Sequence, residues 1–560
     1  MKLFSNLDKR HYLLLAGWVL INVLQAVFTN LHADEAYYWM YSLNPDWGFF
    51  DHPPMTALLV FLGDSLMHNE FGVRLLVLVL STVTMAMIMN ELNEQKDLLF
   101  LAVFILSFPL VHTHIAGFLA IPDSPLVFFT LLFYLLYKRF VEKPTLQLSV
   151  LMAFVAAAMI YSKYHAFLAL GFVVLSNLKL LKNKYFWLTI GITLILLLPH
   201  VLWQVANEYP SLKYHLYSRS KPIRFWTVHN NLTSQLLVAG PITGLIVFYS
   251  LFKYRTNGDL FRRMMIFSIL GFYIFFFIMS FKNRIEAHYT TVITPLLMFA
   301  TYPFIASTPN LKKWFKRIAI PVVVLLLAVR FYLAVDFIPN VGQIKISFYN
   351  HPEWTSEVKQ LAAGKPVGSF NNFDIPGTYQ FYTGDPAVHL AMPGYRFCQY
   401  DMWDEEKAVE GDSVFVIIPD RMDNSNLVQL SNGKKYKLLV IPEFQSLKHL
   451  TVAYNDVHVT TDSVKMKITL TNNAEHAIQF LHPSSPQIGI THAKKAELIT
   501  TPLAEITGMN QLEQGQKVSF KYSFALSLIE RKEPVLIFTQ TIDRNRGEMA
   551  ALKLSDYISE

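Results

Sequence analysis

Residues 12–31 read YLLLAGWVLINVLQAVFTNL, and residues 32–43 continue HADEAYYWMYSL. The first segment holds no charged side chain and is long enough to cross a bilayer core, which takes about 20 apolar residues. Lys2, Lys9 and Arg10 precede it and no small-x-small cleavage site follows it. A retained anchor with its N-terminus inside is therefore expected. The second segment places Asp34 and Glu35 where the chain leaves that span. Acidic groups beside an apolar bundle are expensive to keep unless they act.

Working outward, the composition agrees with a membrane chain. Of 560 residues, 53% are hydrophobic and 14% aromatic, only 16% are charged, and mean hydropathy is +0.32. An ordinary soluble domain has about 25% charged residues. Apolar runs recur near 71–91, 97–115, 123–138, 146–162, 165–181, 186–206, 231–252, 264–281, 287–306 and 317–337, about eleven spans by windowing. An odd count puts the C-terminal part outside. Basic residues collect in the loops this assigns to the inside: Lys138, Arg139 and Lys143; Lys179, Lys182 and Lys184; Lys253 to Arg263; and Lys312, Lys313, Lys316 and Arg317. The loop from Glu91 to Asp97 is acidic and gives no such support. The net charge of +7 thus reads as membrane orientation, not nucleic-acid binding. The single cysteine, Cys398, excludes an internal disulfide and any multi-cysteine metal site.

Apolar runs stop near Asp336. Residues 345–440, with GKPVGSFNNFDIPGTYQFYTGDPA and GDSVFVIIPD, read as a small α/β unit, and 441–560 alternate apolar and polar residues between turn signals, as a β-sandwich does. The expected division is 1–340 in the membrane, then 341–440 and 441–560 outside it. Within the first outer loop, residues 32–70, two short amphipathic stretches are expected to lie along the membrane surface, with Trp39, Trp47 and the tyrosines at headgroup depth.

The polar residues on the outer side are few, and each has a bland reading. Asp34 and Glu35 can cap the helix they begin, or Asp34 can take a proton from an attacking hydroxyl. Asp51-His52-Pro53-Pro54 is a respectable helix start, yet His52 beside Asp51 can also meet phosphate or, with His215 as a third ligand, a divalent cation. Asp123, before Ser124 and Pro125, again starts a helix. His112 and His114, just upstream, suit surface anchors. Lys163-Tyr164-His165 interrupts an apolar run, and a lysine there runs against the positive-inside bias. Arg219, Lys221 and Arg224, and the group Lys282, Arg284 and His288, break the bias likewise. Snorkelling to headgroups accounts for any one of them; together they outline a cationic outer cavity.

ADEAYYW with DHPPM, then PDSPLVFF, then SKYHAFLAL resemble the polyprenyl-phosphate-dependent transferases of the GT-C fold, in the branches like bacterial protein O-mannosyltransferases and aminoarabinose transferases. The resemblance covers residues 1–340. It implies a polytopic helical membrane domain, a polyprenyl-phosphate-linked hexose or pentose as donor, and transfer with inversion to an acceptor outside the cytoplasm. That acceptor would be a lipid A-like glycolipid, a surface glycan or a protein. Asp34, Glu35 and Asp123 match the family's acidic catalytic positions. His52, Lys163, His165 and Arg219 fall to the donor phosphate, and Asp51 with His215 to a divalent metal, the one cofactor implied. The chain departs from the aminoarabinose branch at Asp51-His52, where relatives carry Glu-Lys. The resemblance also implies the bacterial inner membrane, with the active face in the periplasm. A flippase for polyprenyl-linked glycans shares many of these features, and a scaffold would leave the outer carboxylates without a role.

Overall fold

The computed structural model describes residues 4–215, 225–337, 348–370, 372–391, 397–420, 425–492, 499–526, 535–541 and 546–552. The chain forms two compact units, residues 1–349 and 350–560.

The first unit is helical. Helix α1 (Lys9–Phe28) starts at Asp8, whose carboxylate accepts from the backbone N–H groups of Arg10 and His11. Two short helices follow, α2 (Ala33–Leu43) and α3 (Met55–Asp64), then α4 (Glu70–Leu92), capped by Asn69, and α5 (Leu98–Leu106). Next come α6 (Asp123–Glu142), α7 (Leu146–Ser162), α8 (Ala166–Ser176), α9 (Lys184–Ala206) and the one-turn α10 (Pro210–Lys213). The last helices are α11 (Phe225–Val238), α12 (Thr243–Phe252), α13 (Leu260–Met279), α14 (Thr294–Ser307), entered through a 3₁₀ turn from Ala287, and α15 (Pro309–Ala334).

Among the described residues, seven helical segments are long and apolar enough to cross a membrane, and eight if α11 and α12, bent by 92°, count as one broken span. About eleven were expected. The windows at 97–115, 146–162 and 165–181 fall on α5, α7 and α8, of 9, 17 and 11 residues, shorter than the roughly 20 residues a span requires. Hydropathy responds equally to lipid and to a protein core and does not show where a helix breaks, so one apolar window can hold a shorter helix. Phe100, Phe104, Tyr302 and Phe315 form such a core between α5, α14 and α15. The chain is an integral membrane protein.

The expectation for α2 also changes. Glu35 through Ser42 are all buried in protein, Trp39 and the three tyrosines included, so this helix packs into the bundle instead of resting on lipid. Trp47 is exposed.

The second unit contains α16 (His351–Ala362), α17 (Asp374–Thr383), α18 (Gln399–Met402) and a five-stranded sheet. Its strands are β1 (Val367–Phe370), β2 (Ala387–Leu390), β3 (Val414–Pro419), β4 (Leu427–Gln429) and β5 (Lys435–Ile441), in the order β2-β1-β3-β5-β4. β1 runs parallel to both β2 and β3, while β5 is antiparallel to β3 and β4. All four residues of β1 and all six of β3 are buried, the continuous apolar run expected of a strand covered on both faces. After β5 the chain builds a sandwich. β6 (Leu450–Val459) and β7 (Ser463–Asn472) pair in one sheet, and β8 (Gln487–His492) lies in another beside Val535–Gln540. Alternate residues of both sheets, such as Val464, Met466, Ile468, Ile488, Ile490 and Ile537, share one core.

Candidate active site

The chain leaves α1 and enters α2 around one buried ion pair. Glu35 accepts from Arg74 Nε at 2.9 Å and from Arg74 Nη2 at 2.6 Å, and both side chains are fully buried. Its carboxylate also accepts from the backbone N–H groups of Ala120 and His32, at 2.8 and 2.9 Å. Arg74 in turn donates to the carbonyls of Ala26, Thr29 and Asn30, which the end of α1 leaves without helical partners. Glu35, expected beside Asp34 at the catalytic centre, is thus turned inward. It joins α1, α2, α4 and the segment before α6, and its lone pairs are spent on that work.

Asp34 takes the opposite course. Its side chain is 46% exposed and stands 3.7 Å from His32 Nδ1. Asp34 is also within electrostatic reach of His288.

At the first residue of α6, Asp123 Oδ2 receives Lys163 Nζ at 2.7 Å, both side chains nearly fully buried, and His288 Nε2 lies 3.9 Å from the same oxygen. Lys163 caps the C-terminus of α7 and also sits over the Tyr289 ring at 5.3 Å. His165 packs between Phe276 and Tyr289, at 5.4 and 5.0 Å. The stacked pair His114 and His288, 5.1 Å apart, closes the side next to Asp123.

Asp51 Oδ1 accepts from the Tyr41 hydroxyl at 2.7 Å, and His215 Nε2 lies 3.1 Å from the Asp51 carbonyl. His52 sits edge-on to Tyr38. Burial holds its imidazole down to about 4, with Asp51 opposing and Lys163 adding to the shift, so it is neutral at pH 7. His114 is held to about 3, first by burial and then by His288. Among the described residues, Nδ1 of His52 and Nδ1 of His165 are buried with no hydrogen-bond partner. A buried polar atom left unpaired costs roughly 1–3 kcal/mol, and a ligand oxygen would remove that cost.

The structure therefore brings Asp34, His52, Asp123, Lys163 and His165 to one region, where α1 and α7 end and α2, α6 and α8 begin. Arg219 lies outside the described residues. Asp51 and His215 do meet, but through a backbone carbonyl. Among the described residues, Asp51, His52 and His215 do not bring three ligand atoms together, where a catalytic zinc site usually has three protein ligands. Sequence reasoning gave no role to Arg74 or Tyr289, placed Tyr41 at headgroup depth, and offered His114 as a surface anchor. Arg74 had a signal, a guanidinium within the apolar run GVRLLVLVL. His114 and His288 are 174 positions apart in the chain, a pairing that nothing local announces.

A polytopic helical bundle followed by a strand-rich unit agrees with the GT-C fold expected from the sequence. The resemblance read from the sequence is borne out by two findings. Residues 51–203, which include Asp51, His52, Asp123, Lys163 and His165, match the family model for dolichyl-phosphate-mannose-protein mannosyltransferase. The structure is also similar to ArnT from Cupriavidus metallidurans in its apo state, with a TM-score of 0.54 at 13% identity, covering 77% of this chain and 97% of that one. The same enzyme bound to undecaprenyl phosphate gives a TM-score of 0.54 at 13% identity, covering 77% of this chain and 98% of that one. At such identity the likeness is one of fold. No curated protein sequence matches the chain.

Proposed function

We propose that this protein transfers a sugar from a polyprenyl-phosphate donor to a hydroxyl of an acceptor outside the cytoplasm, with inversion at the anomeric carbon. The observation that carries this reading is the contrast between two carboxylates one residue apart, Glu35 locked in a buried ion pair and Asp34 half-exposed beside the Lys163 cluster.

In the proposed reaction the acceptor oxygen attacks the anomeric carbon as the bond from that carbon to the phosphate oxygen breaks. Asp34 accepts the hydroxyl proton, and the electron pair of the broken bond leaves on polyprenyl phosphate. Lys163 and the unpaired nitrogens of His52 and His165 face the negative charge that grows on that phosphate, which is electrostatic stabilisation of the departing group. Arg219 would add a second cation. Asp123 orients Lys163 through the 2.7 Å contact. The undecaprenyl phosphate complex of ArnT supports a polyprenyl phosphate as the lipid. The acceptor classes remain a glycolipid, a surface glycan or a protein, reached from the periplasmic face of a bacterial inner membrane, with the second unit on that side. Asp51 and His215 would stand nearest a divalent cation, if one takes part, but the steps above run on the protein's own charges.

The test is release of polyprenyl phosphate by the full chain in lipid nanodiscs from a panel of polyprenyl-phosphate sugars, with wild type and Asp34→Asn compared at matched folding. Release that the substitution abolishes supports the reading. Full release by folded Asp34→Asn overturns the base assignment. The 92° break between α11 and α12 is a feature that transporters share. Movement of an intact lipid-linked sugar across the bilayer without release would favour a flippase.

A further inference from the structure

In the second unit, three potential ligands of different chemistry converge. His389 lies in the edge strand β2, Cys398 immediately precedes α18, and Asp401 belongs to α18. An imidazole nitrogen, the sulfur and a carboxylate oxygen all lie within 4.8 Å of one another, and Cys398 Sγ stands 4.0 Å from His389 Nε2. His389 is 4% and Cys398 5% exposed, while Asp401 is partly exposed.

Each residue has an ordinary account by itself. Cysteine is a small buried hydrophobe, Asp401 Oδ2 accepts from the Cys398 N–H at 2.7 Å as a cap, and His389 stacks on Tyr400 at 5.4 Å and 12°. The capping box also brings Cys398 Sγ to the Asp401 N–H, and Sγ is in hydrogen-bonding reach of His389 Nε2; beyond these pairwise contacts, one atom each of sulfur, nitrogen and carboxylate oxygen converges within 4.8 Å. Around a four-coordinate zinc, bonds of about 2.0–2.3 Å place ligand atoms roughly 3.3–3.8 Å apart. The sulfur and nitrogen are a few tenths of an ångström from that spacing. Asp401 reaches it by turning a partly exposed side chain, with its second oxygen free of the cap bond. Tyr400, stacked on the imidazole, holds the ring plane as an outer-shell group does.

We propose that His389, Cys398 and Asp401 form a binding site for a borderline-soft divalent cation of the zinc type, with solvent as fourth ligand. The ion ties β2 to α18, a cross-link that the single cysteine cannot supply by disulfide formation. Mixed sulfur, nitrogen and oxygen donors select zinc or cobalt over magnesium or calcium, which prefer oxygen alone. The site shares no residue with Asp51 and His215.

The experiment uses the full chain in nanodiscs, stripped with a chelator and titrated with Co(II). Wild type is expected to show a thiolate-to-cobalt charge-transfer band that saturates at about one ion per chain and disappears on adding Zn(II). Cys398→Ser should abolish the band. His389→Gln and Asp401→Asn should each weaken binding about 10-fold or more, while Asp51→Asn leaves the band unchanged. Should Cys398→Ser fail to fold, the Asp401→Asn titration, at a partly exposed position, still decides. A folded wild type without the band, or a band insensitive to both His389→Gln and Asp401→Asn, overturns the proposal.

Discussion

Arg74 and Glu35 meet with Nη2 2.6 Å from Oε2 and no exposure on either side chain. Four carbonyl or carboxylate groups around one guanidinium make this contact the joint that fixes where α2 begins, and hence where Asp34 stands. Arg74→Met leaves the Glu35 charge buried without its partner, a loss that typically costs about 3–5 kcal/mol. Arg74→Lys should recover little, because an ammonium cannot reproduce a fork that serves Ala26, Thr29, Asn30 and Glu35 together. Thermal unfolding in nanodiscs checks both variants; an Arg74→Lys protein as stable as wild type would refute the argument.

Lys163 and Asp123 separate stability from activity. Lys163→Met alone should destabilise by roughly 3–5 kcal/mol, since it leaves a carboxylate buried and unpaired. The double variant Lys163→Met/Asp123→Leu should recover most of that stability and remain inactive in polyprenyl phosphate release. Activity in the stable double variant would remove both residues from the proposed chemistry.

Asp34→Asn should keep the unfolding midpoint within about 1 kcal/mol of wild type, because the side chain is half-exposed and contributes mainly at a helix N-terminus. Its turnover should fall by about 10²–10⁴, the usual contribution of a positioned proton acceptor. A loss confined to KM would place Asp34 in acceptor binding instead.

His52 is neutral at working pH because burial holds it to about 4. Donor affinity should therefore show no titration from His52 between about pH 5.5 and 8. His52→Gln keeps a neutral polar group and should reduce affinity modestly, whereas His52→Leu should reduce it by about 10-fold or more, the cost of one lost hydrogen bond to a charged group. Binding of a polyprenyl-phosphate probe across that pH range reads both.

Glu405, in the second unit, has its carboxyl pushed up to about 7 from an ordinary 4.5, first by burial, with Lys448 opposing and Glu406 adding to the rise. Below 4.5 it is protonated in folded and unfolded chains alike, and its contribution to stability is complete. As pH rises from 4.5 through 7 the unfolded chain loses its proton first, so local stability falls, by up to about 3 kcal/mol. Glu405→Gln should flatten that fall. Hydrogen exchange in β1 and β3, followed from pH 5 to about 8, measures it.

Much of the site was legible because its signals are local. Asp34, Asp51, Asp123 and Lys163 stand out as charges at the ends of apolar runs, and the turn residues around them mark helix starts. The α/β sheet and the sandwich were legible for the same reason, since alternation is a property of each strand alone. The count of spans was not. α5, α7 and α8 hold 9, 17 and 11 residues, and where a helix breaks inside an apolar window is not announced by hydropathy.

The sequence by itself determined that this is a membrane protein with a strand-rich C-terminal part and acidic and basic residues at the helix ends, because hydropathy, length and charge are read within about 20 residues. Only the tertiary structure decided which of two adjacent carboxylates is buried and which reaches solvent. Asp34 and Glu35 are equivalent acids in the chain, and what separates them is Arg74, 39 positions beyond Glu35. A buried charge takes its role from its partner, and partners far apart in sequence meet only when the chain is folded.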